Sequence, residues 1–261
     1  MSTKTIKVEI KRQSTPDATA TTEKFEIPYR PGMNITSLLG EIALNPVDVS
    51  GKATTPITYD SNCLEEICGS CAMVINGKAR MACTALIDKL EQPIRLQPLT
   101  KFPVVRDLAV DRSVLFENLK KVKAWVPIDG SYDLGSGPRQ FPQIQEQRYP
   151  LSNCISCTIC MEVCPQFNDA TGFVGAATIA QAKLFNMDPS GSVLKEERLR
   201  ALAGDGGIQV LRAAIISTRV FSPLVGTPTA TSWSTRRCLR TVFSAPEAKF
   251  RRALRAKRPR G

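Results

Sequence analysis

Polar and apolar positions alternate from the start of the chain. Ile6, Val8 and Ile10 are interleaved with Lys7, Glu9 and Lys11, the period of two expected of a strand with one buried face. Phe25, Ile27 and Tyr29 repeat the pattern after a polar stretch from Ser14 to Thr22, so the two runs predict an antiparallel pair. Pro31-Gly32 breaks it. The period then lengthens: Ile35, Leu38, Leu39 and Ile42 stand at helical spacing, with Asn34 placed to cap the helix and Asn45-Pro46 to end it after about Ala43. Further on, Asn76-Gly77 is a strong hairpin signal between Ala72–Ile75 and Lys78–Cys83.

The second half reads as helical. Residues 101–125, with Asp111, Leu115, Leu119 and Val122 on one face, predict an amphipathic helix ending near Trp125. Pro127 to Pro150 is rich in Gly, Pro and Gln and predicts an ordered connecting loop. Trp125, Tyr132, Phe141 and Tyr149 give it aromatic surface to pack. Two helices follow, Gly175 to Met187 and Val193 to Ala203, separated by Asp188-Pro189 and closed by Gly204-Asp205-Gly206-Gly207. No window approaches eighteen uncharged apolar residues, so no membrane span is expected. The alternating start lacks the apolar run of a signal peptide.

Length and composition, 261 residues with 43% hydrophobic and 23% charged, fit two ordinary domains. There is no histidine, which excludes Ser-His-Asp triads, Rieske centres and His-ligated zinc or haem. Nine cysteines in a chain without an export signal point to metal ligands rather than disulfides.

The cysteine spacing carries the chemistry. Cys63-Leu-Glu-Glu-Ile-Cys68-Gly-Ser-Cys71, followed by Cys83, is the C-x4-C-x2-C…C pattern of a plant-type [2Fe–2S] cluster. Three thiolates must converge from one loop, and Gly69 and Ser70 let the backbone curl tightly enough to aim amides at sulfur. The hairpin at Asn76-Gly77 would bring Cys83 back beside Cys71. A four-thiolate zinc site is the bland alternative, but it usually shows two C-x2-C knuckles and only one is present here. Cys154-Ile-Ser-Cys157-Thr-Ile-Cys160-Met-Glu-Val-Cys164-Pro165 is the bacterial ferredoxin run, whose fourth cysteine serves a neighbouring cluster. Glu65 and Glu66 read as surface charge for docking, Met81 as packing, and Lys120-Lys121-Val122-Lys123 as a solvated helix face.

With both motifs in this order, the chain resembles the iron–sulfur subunits of succinate dehydrogenase and fumarate reductase from about Thr5 to Gln209. The resemblance includes Ala85-Leu-Ile-Asp88, Pro103-Val-Val-Arg-Asp107 and Lys121-Val-Lys-Ala-Trp125. It implies an α+β fold: an N-terminal β-grasp plant-type ferredoxin domain (1–105), then an incomplete all-α bacterial-ferredoxin-like domain (106–209). It implies a [2Fe–2S] cluster on Cys63, Cys68, Cys71 and Cys83. Cys154, Cys157 and Cys160 would serve a [4Fe–4S] cluster, and Cys164 a [3Fe–4S] cluster. The implied role is relaying electrons from an FAD-containing flavoprotein subunit, where succinate is oxidised, to quinone at cytochrome b-type membrane anchors. This chain itself would not bind succinate. Asn45-Pro46-Val47 and Trp125-Val-Pro-Ile-Asp-Gly130 resemble the branch of menaquinone-using bacteria, and the place implied is the cytoplasmic side of the inner membrane, peripherally attached. Fumarate reductase reverses the flow. A chain with a broken relay would serve only as an assembly partner.

The resemblance stops after Gly206-Gly207-Ile208-Gln209, where the family continues with a second C-x5-C-x3-C-P run. Here only Cys238 follows. Residues 1–209 carry 23 basic and 23 acidic side chains, whereas residues 210–261 carry ten Arg and two Lys against Glu247 alone. This segment reads as an aberrant, disordered basic tail. A basic arm, a divergent tail and a frameshift near codon 209 are the three readings. The simultaneous loss of pattern and composition at one residue favours the frameshift, and no nucleic-acid partner is expected.

Overall fold

A computed structural model describes residues 4–127 and 138–208. The expectations for Tyr132 and for the segment 210–261, with Cys238, lie outside the described residues.

Two strands, β1 (Thr5–Arg12) and β2 (Thr21–Pro28), pair antiparallel with Ile6 opposite Ile27 and Val8 opposite Phe25. The expected alternation is realised: Ile6, Val8, Ile10, Phe25 and Ile27 are all buried. Helix α1 (Ile35–Leu44) follows, and the Asn34 side chain accepts a hydrogen bond from the Ser37 amide as its cap. Ile35, Leu38, Leu39 and Ile42 turn inward, each contributing roughly 1.5–3 kcal/mol by burial. Asn45 caps the other end through Glu41.

Strands β3 (Ala72–Ile75) and β4 (Lys78–Met81) form the expected hairpin. Asn76 and Gly77 both hold positive φ, 48° and 74°, the geometry that makes Asn-Gly the favoured two-residue connection. The unexpected element is β5 (Ile94–Gln97). It lies parallel to β1 and antiparallel to β3, so the sheet runs β2-β1-β5-β3-β4. Four residues with only Ile94 and Leu96 apolar give little local signal, but both are fully buried between their neighbours.

The helix expected within residues 101–125 fills only part of that segment. Strands β6 (Val104–Arg106) and β7 (Ala109–Val110) make a small hairpin, and α2 covers only Ser113–Lys121. Asp111 stands ahead of that helix, accepting from the Ser113 amide at 2.8 Å. Leu115 and Val122 are buried as the spacing required. Asp107, in the hairpin turn, explains the break. Its carboxylate takes Arg12 Nε at 2.9 Å, the Gln13 amide at 3.2 Å and the Thr58 amide at 3.0 Å. Arg12 shares the inward face of β1, and it is tolerated there because Asp107, Glu23 and Thr55 accept from its guanidinium.

The loop expected up to Pro150 contains a helix, α3 (Pro142–Ser152), with Pro142 in its first turn. Proline is acceptable at that position because its missing N–H would be unpaired anyway. Pro150 interrupts the bonding only near the far end. Leu151 anchors this helix, and Arg148 pairs with Asp188 at 2.6 Å. The aromatic side chains expected to pack here do not: Trp125, Phe141 and Tyr149 remain exposed.

Short α4 (Ile159–Glu162) carries Cys160. The expected helix pair is present as α5 (Ala176–Met187) and α6 (Lys195–Ala203), with a 3-10 turn at Gly191–Leu194 between them. Arg198 on α6 is fully buried and donates to the carbonyls of Lys123, Trp125 and Gly191 and to Asn186 Oδ1. The fold is thus mixed α and β, with a sheet in the N-terminal part. Most of its buried apolar side chains form one cluster from Ile6 to Leu202, with Leu151 and Ala180 in a second, smaller one. Among the described residues no helix is long and apolar enough to cross a membrane.

Candidate iron–sulfur site

The loop from Cys63 to Cys71 curls as its composition requires, with Leu64 and Glu66 at φ 61° and Gly69 at φ 75°. These reversals turn amides toward sulfur. Cys63 Sγ accepts from the amides of Glu65 at 3.5 Å, Ile67 at 3.3 Å and Cys68 at 3.3 Å. Cys68 Sγ accepts from Cys63 and Ser70, both at 3.5 Å. The Ser70 side chain, reinforced by the Cys63 and Ser70 amides, lowers the Cys68 thiol to about 6. That stabilises the thiolate, which is the form that binds metal.

Cys71 and Cys83 lie deeper, at 2% and 4% exposure. The Ala82 amide donates to Cys71 O at 3.1 Å, and Asn34 Nδ2 donates to Cys83 O at 2.8 Å, fixing the strand end against the loop. Burial, and then the neighbouring Cys71 thiol, push Cys83 up to about 12. The charge of Cys63 also reaches Cys83. Cys63 thus acts on Cys68, and Cys71 on Cys83. Among the described residues no group of three or more Cys, Asp or Glu is gathered to hold a single metal ion. Thiols that act on one another, with backbone amides aimed at the Cys63 and Cys68 sulfurs, are the donor chemistry that would suit a [2Fe–2S] cluster. Glu66 departs from the expected surface charge. It is half-buried, and burial pushes its carboxyl up.

The second run also curls through left-handed backbone positions. Ser156 and Thr158 adopt positive φ, 53° and 64°, wrapping the chain between Cys154 and buried Cys160. Burial raises the Cys157 thiol, and Cys154 adds to this, while the Ile159 amide and the Arg112 charge oppose it. Cys164 follows α4, its carbonyl taking the Lys101 ammonium and the Phe167 amide. Glu162 accepts from the Thr100 and Lys101 amides, tying this loop to the segment after β5.

The two cysteine loops touch. A methyl group built on Gly69 would lie 2.4 Å from Ile155 O and 3.0 Å from both Cα and N of Cys157. No side chain intervenes. Beside this junction Arg112 donates to the carbonyls of Gly69, Ser70 and Ala72, and no motif in the sequence singles it out. The Lys120–Lys123 stretch behaves as a solvated face. Lys120 pairs with Glu117, Lys123 with Glu197, and Val122 is buried.

Residues 7–117 match the family described as "2Fe-2S iron-sulfur cluster binding domain". The chain is 58% identical over 205 residues to the succinate dehydrogenase iron-sulfur subunit of Bacillus subtilis, covering 78% of this chain and 81% of that one. It is 32% identical over 195 residues to the fumarate reductase iron-sulfur subunit of Haemophilus influenzae, covering 70% and 73%. In fold it is similar to a chain of the Mycobacterium smegmatis Sdh1 complex in the apo form, with a TM-score of 0.64, 19% identity and 98% of each chain covered. With that identity over most of both sequences, the chain belongs to the family of succinate dehydrogenase and fumarate reductase iron–sulfur subunits.

Proposed function

We propose that this chain carries electrons within a succinate dehydrogenase through a [2Fe–2S] cluster held by Cys63, Cys68, Cys71 and Cys83. The observation that carries the reading is the amide-lined loop bearing Cys63, Cys68 and Cys71, with Cys83 beside Cys71 and with Gly69 abutting the second cysteine loop. Succinate dehydrogenase is favoured over fumarate reductase by the 58% identity against 32%.

When bound, the cluster supplies one-electron redox chemistry. The protein's own residues keep Cys71 and Cys83 from solvent, orient Cys63 and Cys68 through backbone amides, and fix the distance to the next loop. Leu64 and Ile67 are exposed beside Cys63 and offer apolar surface to the flavoprotein subunit. The membrane-anchor subunits and quinone would lie on the side of the second cysteine run, at the cytoplasmic face of the membrane. The division into 1–105 and 106–209, the first a β-grasp ferredoxin unit and the second a helical ferredoxin-like unit, is supported by helices α2 to α6 following the sheet. The β6–β7 hairpin forms the join.

The family carries [2Fe–2S], [4Fe–4S] and [3Fe–4S] clusters. Here the residues fit the first fully. Cys154, Cys157 and Cys160 offer three ligands to the second, and Cys164 offers one to the third, with Cys238 the only later cysteine. That set does not fit a [3Fe–4S] cluster, and no electron step to quinone follows from it. In the full chain, Cys68→Ala abolishes the reduced [2Fe–2S] electron paramagnetic resonance signal while Cys238→Ala leaves it intact. An unchanged signal in Cys68→Ala refutes the ligand set.

A further inference from the structure

We propose that Arg112 is a redox-positioning residue that raises the reduction potential of the cluster on Cys63, Cys68, Cys71 and Cys83 by placing an uncompensated positive charge behind its loop. The inference rests on the ligand set proposed above and concerns a residue that makes no contact with the thiols of that set.

Arg112 sits just ahead of α2 and points back across the chain. Its Nη1 donates to Gly69 O at 2.7 Å, and its Nη2 to Ser70 O at 2.6 Å and Ala72 O at 3.4 Å. Its hydrogen-bond partners among the described residues are therefore neutral carbonyls, and no carboxylate cancels the charge there. Its Nε is buried with no partner. The same charge reaches the second loop, where it acts on Cys157.

One peptide group shows how the charge is transmitted. The carbonyl of Gly69 faces Arg112, and the N–H at the other end of that same peptide, on Ser70, points at Cys68 Sγ. The guanidinium thus pins the negative end of the peptide dipole, polarises it, and presents its positive end to sulfur. A hydrogen bond to a cluster sulfur and a nearby positive charge act in the same direction. Reduction adds one electron and turns one ferric iron ferrous, with no bond broken and no proton moved at Arg112. The added negative charge is stabilised by both the fixed cation and the aligned dipole. Partial burial shields the interaction from salt.

The test is a potentiometric titration of the cluster-loaded full chain with dithionite, read by the [2Fe–2S] resonance. Arg112→Gln keeps a donor but removes the charge. At the parental midpoint its reduced-to-oxidised ratio falls about threefold to tenfold, tenfold being 59 mV for a one-electron couple. Arg112→Lys keeps the charge and loses the fork, and its ratio stays near parental. A parental ratio in Arg112→Gln overturns the proposal, as does an equal fall in both variants, which would make geometry and not charge the cause. If Arg112→Gln loads no cluster, Arg112→Lys decides: a parental midpoint supports the proposal and a lowered one overturns it. Absence of the resonance from the parental chain would instead refute the ligand set itself.

Discussion

Replacing Gly69 with alanine strains the chain in two separable ways. Gly69 holds φ 75°, where an L residue other than glycine costs about 1–2 kcal/mol. The new methyl group would also lie 2.4 Å from Ile155 O, well inside van der Waals contact. The neighbour there is backbone, so no side chain can swing aside and the two cysteine loops must part. Overpacking of this kind costs about 1–3 kcal/mol, so the whole penalty is roughly 2–5 kcal/mol. For a chain of this size that corresponds to a melting temperature lowered by roughly 4–20 °C. Gly51→Ala is the control. Gly51 also has a positive φ, 83°, but its added methyl meets nothing within 4 Å, so it carries the conformational cost alone. Thermal unfolding of the cluster-loaded proteins, followed by circular dichroism, should place Gly69→Ala clearly below Gly51→Ala. Equal melting temperatures would refute the claim that the two loops meet at Gly69.

Three further outcomes are expected. Asp107→Ala removes the main partner of buried Arg12 and strands the amides of Gln13 and Thr58; it should cost about 3–5 kcal/mol in urea unfolding, and a loss below 1 kcal/mol would contradict the role given to this pair. Asn34→Asp keeps the cap of α1 but cannot donate to Cys83 O, so it should lose about 1 kcal/mol where Asn34→Ala loses about 2; an unchanged stability in Asn34→Asp would show that the Cys83 bond contributes nothing, and equal losses in the two variants that the cap contributes nothing. Resequencing the gene across codon 209 should reveal a Cys…Cys…Cys-Pro run in another frame, and its absence from all three frames would establish 210–261 as genuine.

The sequence made the site more legible than the fold around it. Thiol spacing is a local property, and so are the Asn76-Gly77 turn and the Asn34 cap, because each acts within a few residues. Strand β5 was hidden because its identity depends on two partners distant in the chain, β1 and β3, and its four residues carry only two apolar positions. The β6–β7 hairpin lies just ahead of a helical spacing from Asp111 to Val122 that is real only from Ser113 onward. Its turn is held by Asp107 through Arg12, a contact across 95 residues that no periodicity records. Prolines disguised α3, since Pro142 at a helix start and Pro150 near its end resemble loop punctuation. Arg112 lay outside both motifs, and its importance depends on carbonyls more than forty residues away. Glu66 looked like surface charge because the neighbouring Glu65 is exposed, and only the curl of the loop separates their environments.

The central claim is that Cys63, Cys68, Cys71 and Cys83 hold a [2Fe–2S] cluster in an electron-transfer subunit. Its most direct test is metal and acid-labile sulfide analysis of the full chain purified without oxygen, paired with electron paramagnetic resonance after dithionite reduction. The account predicts iron with labile sulfide and a reduced [2Fe–2S] signal. Zinc without sulfide, and no signal on reduction, would contradict it.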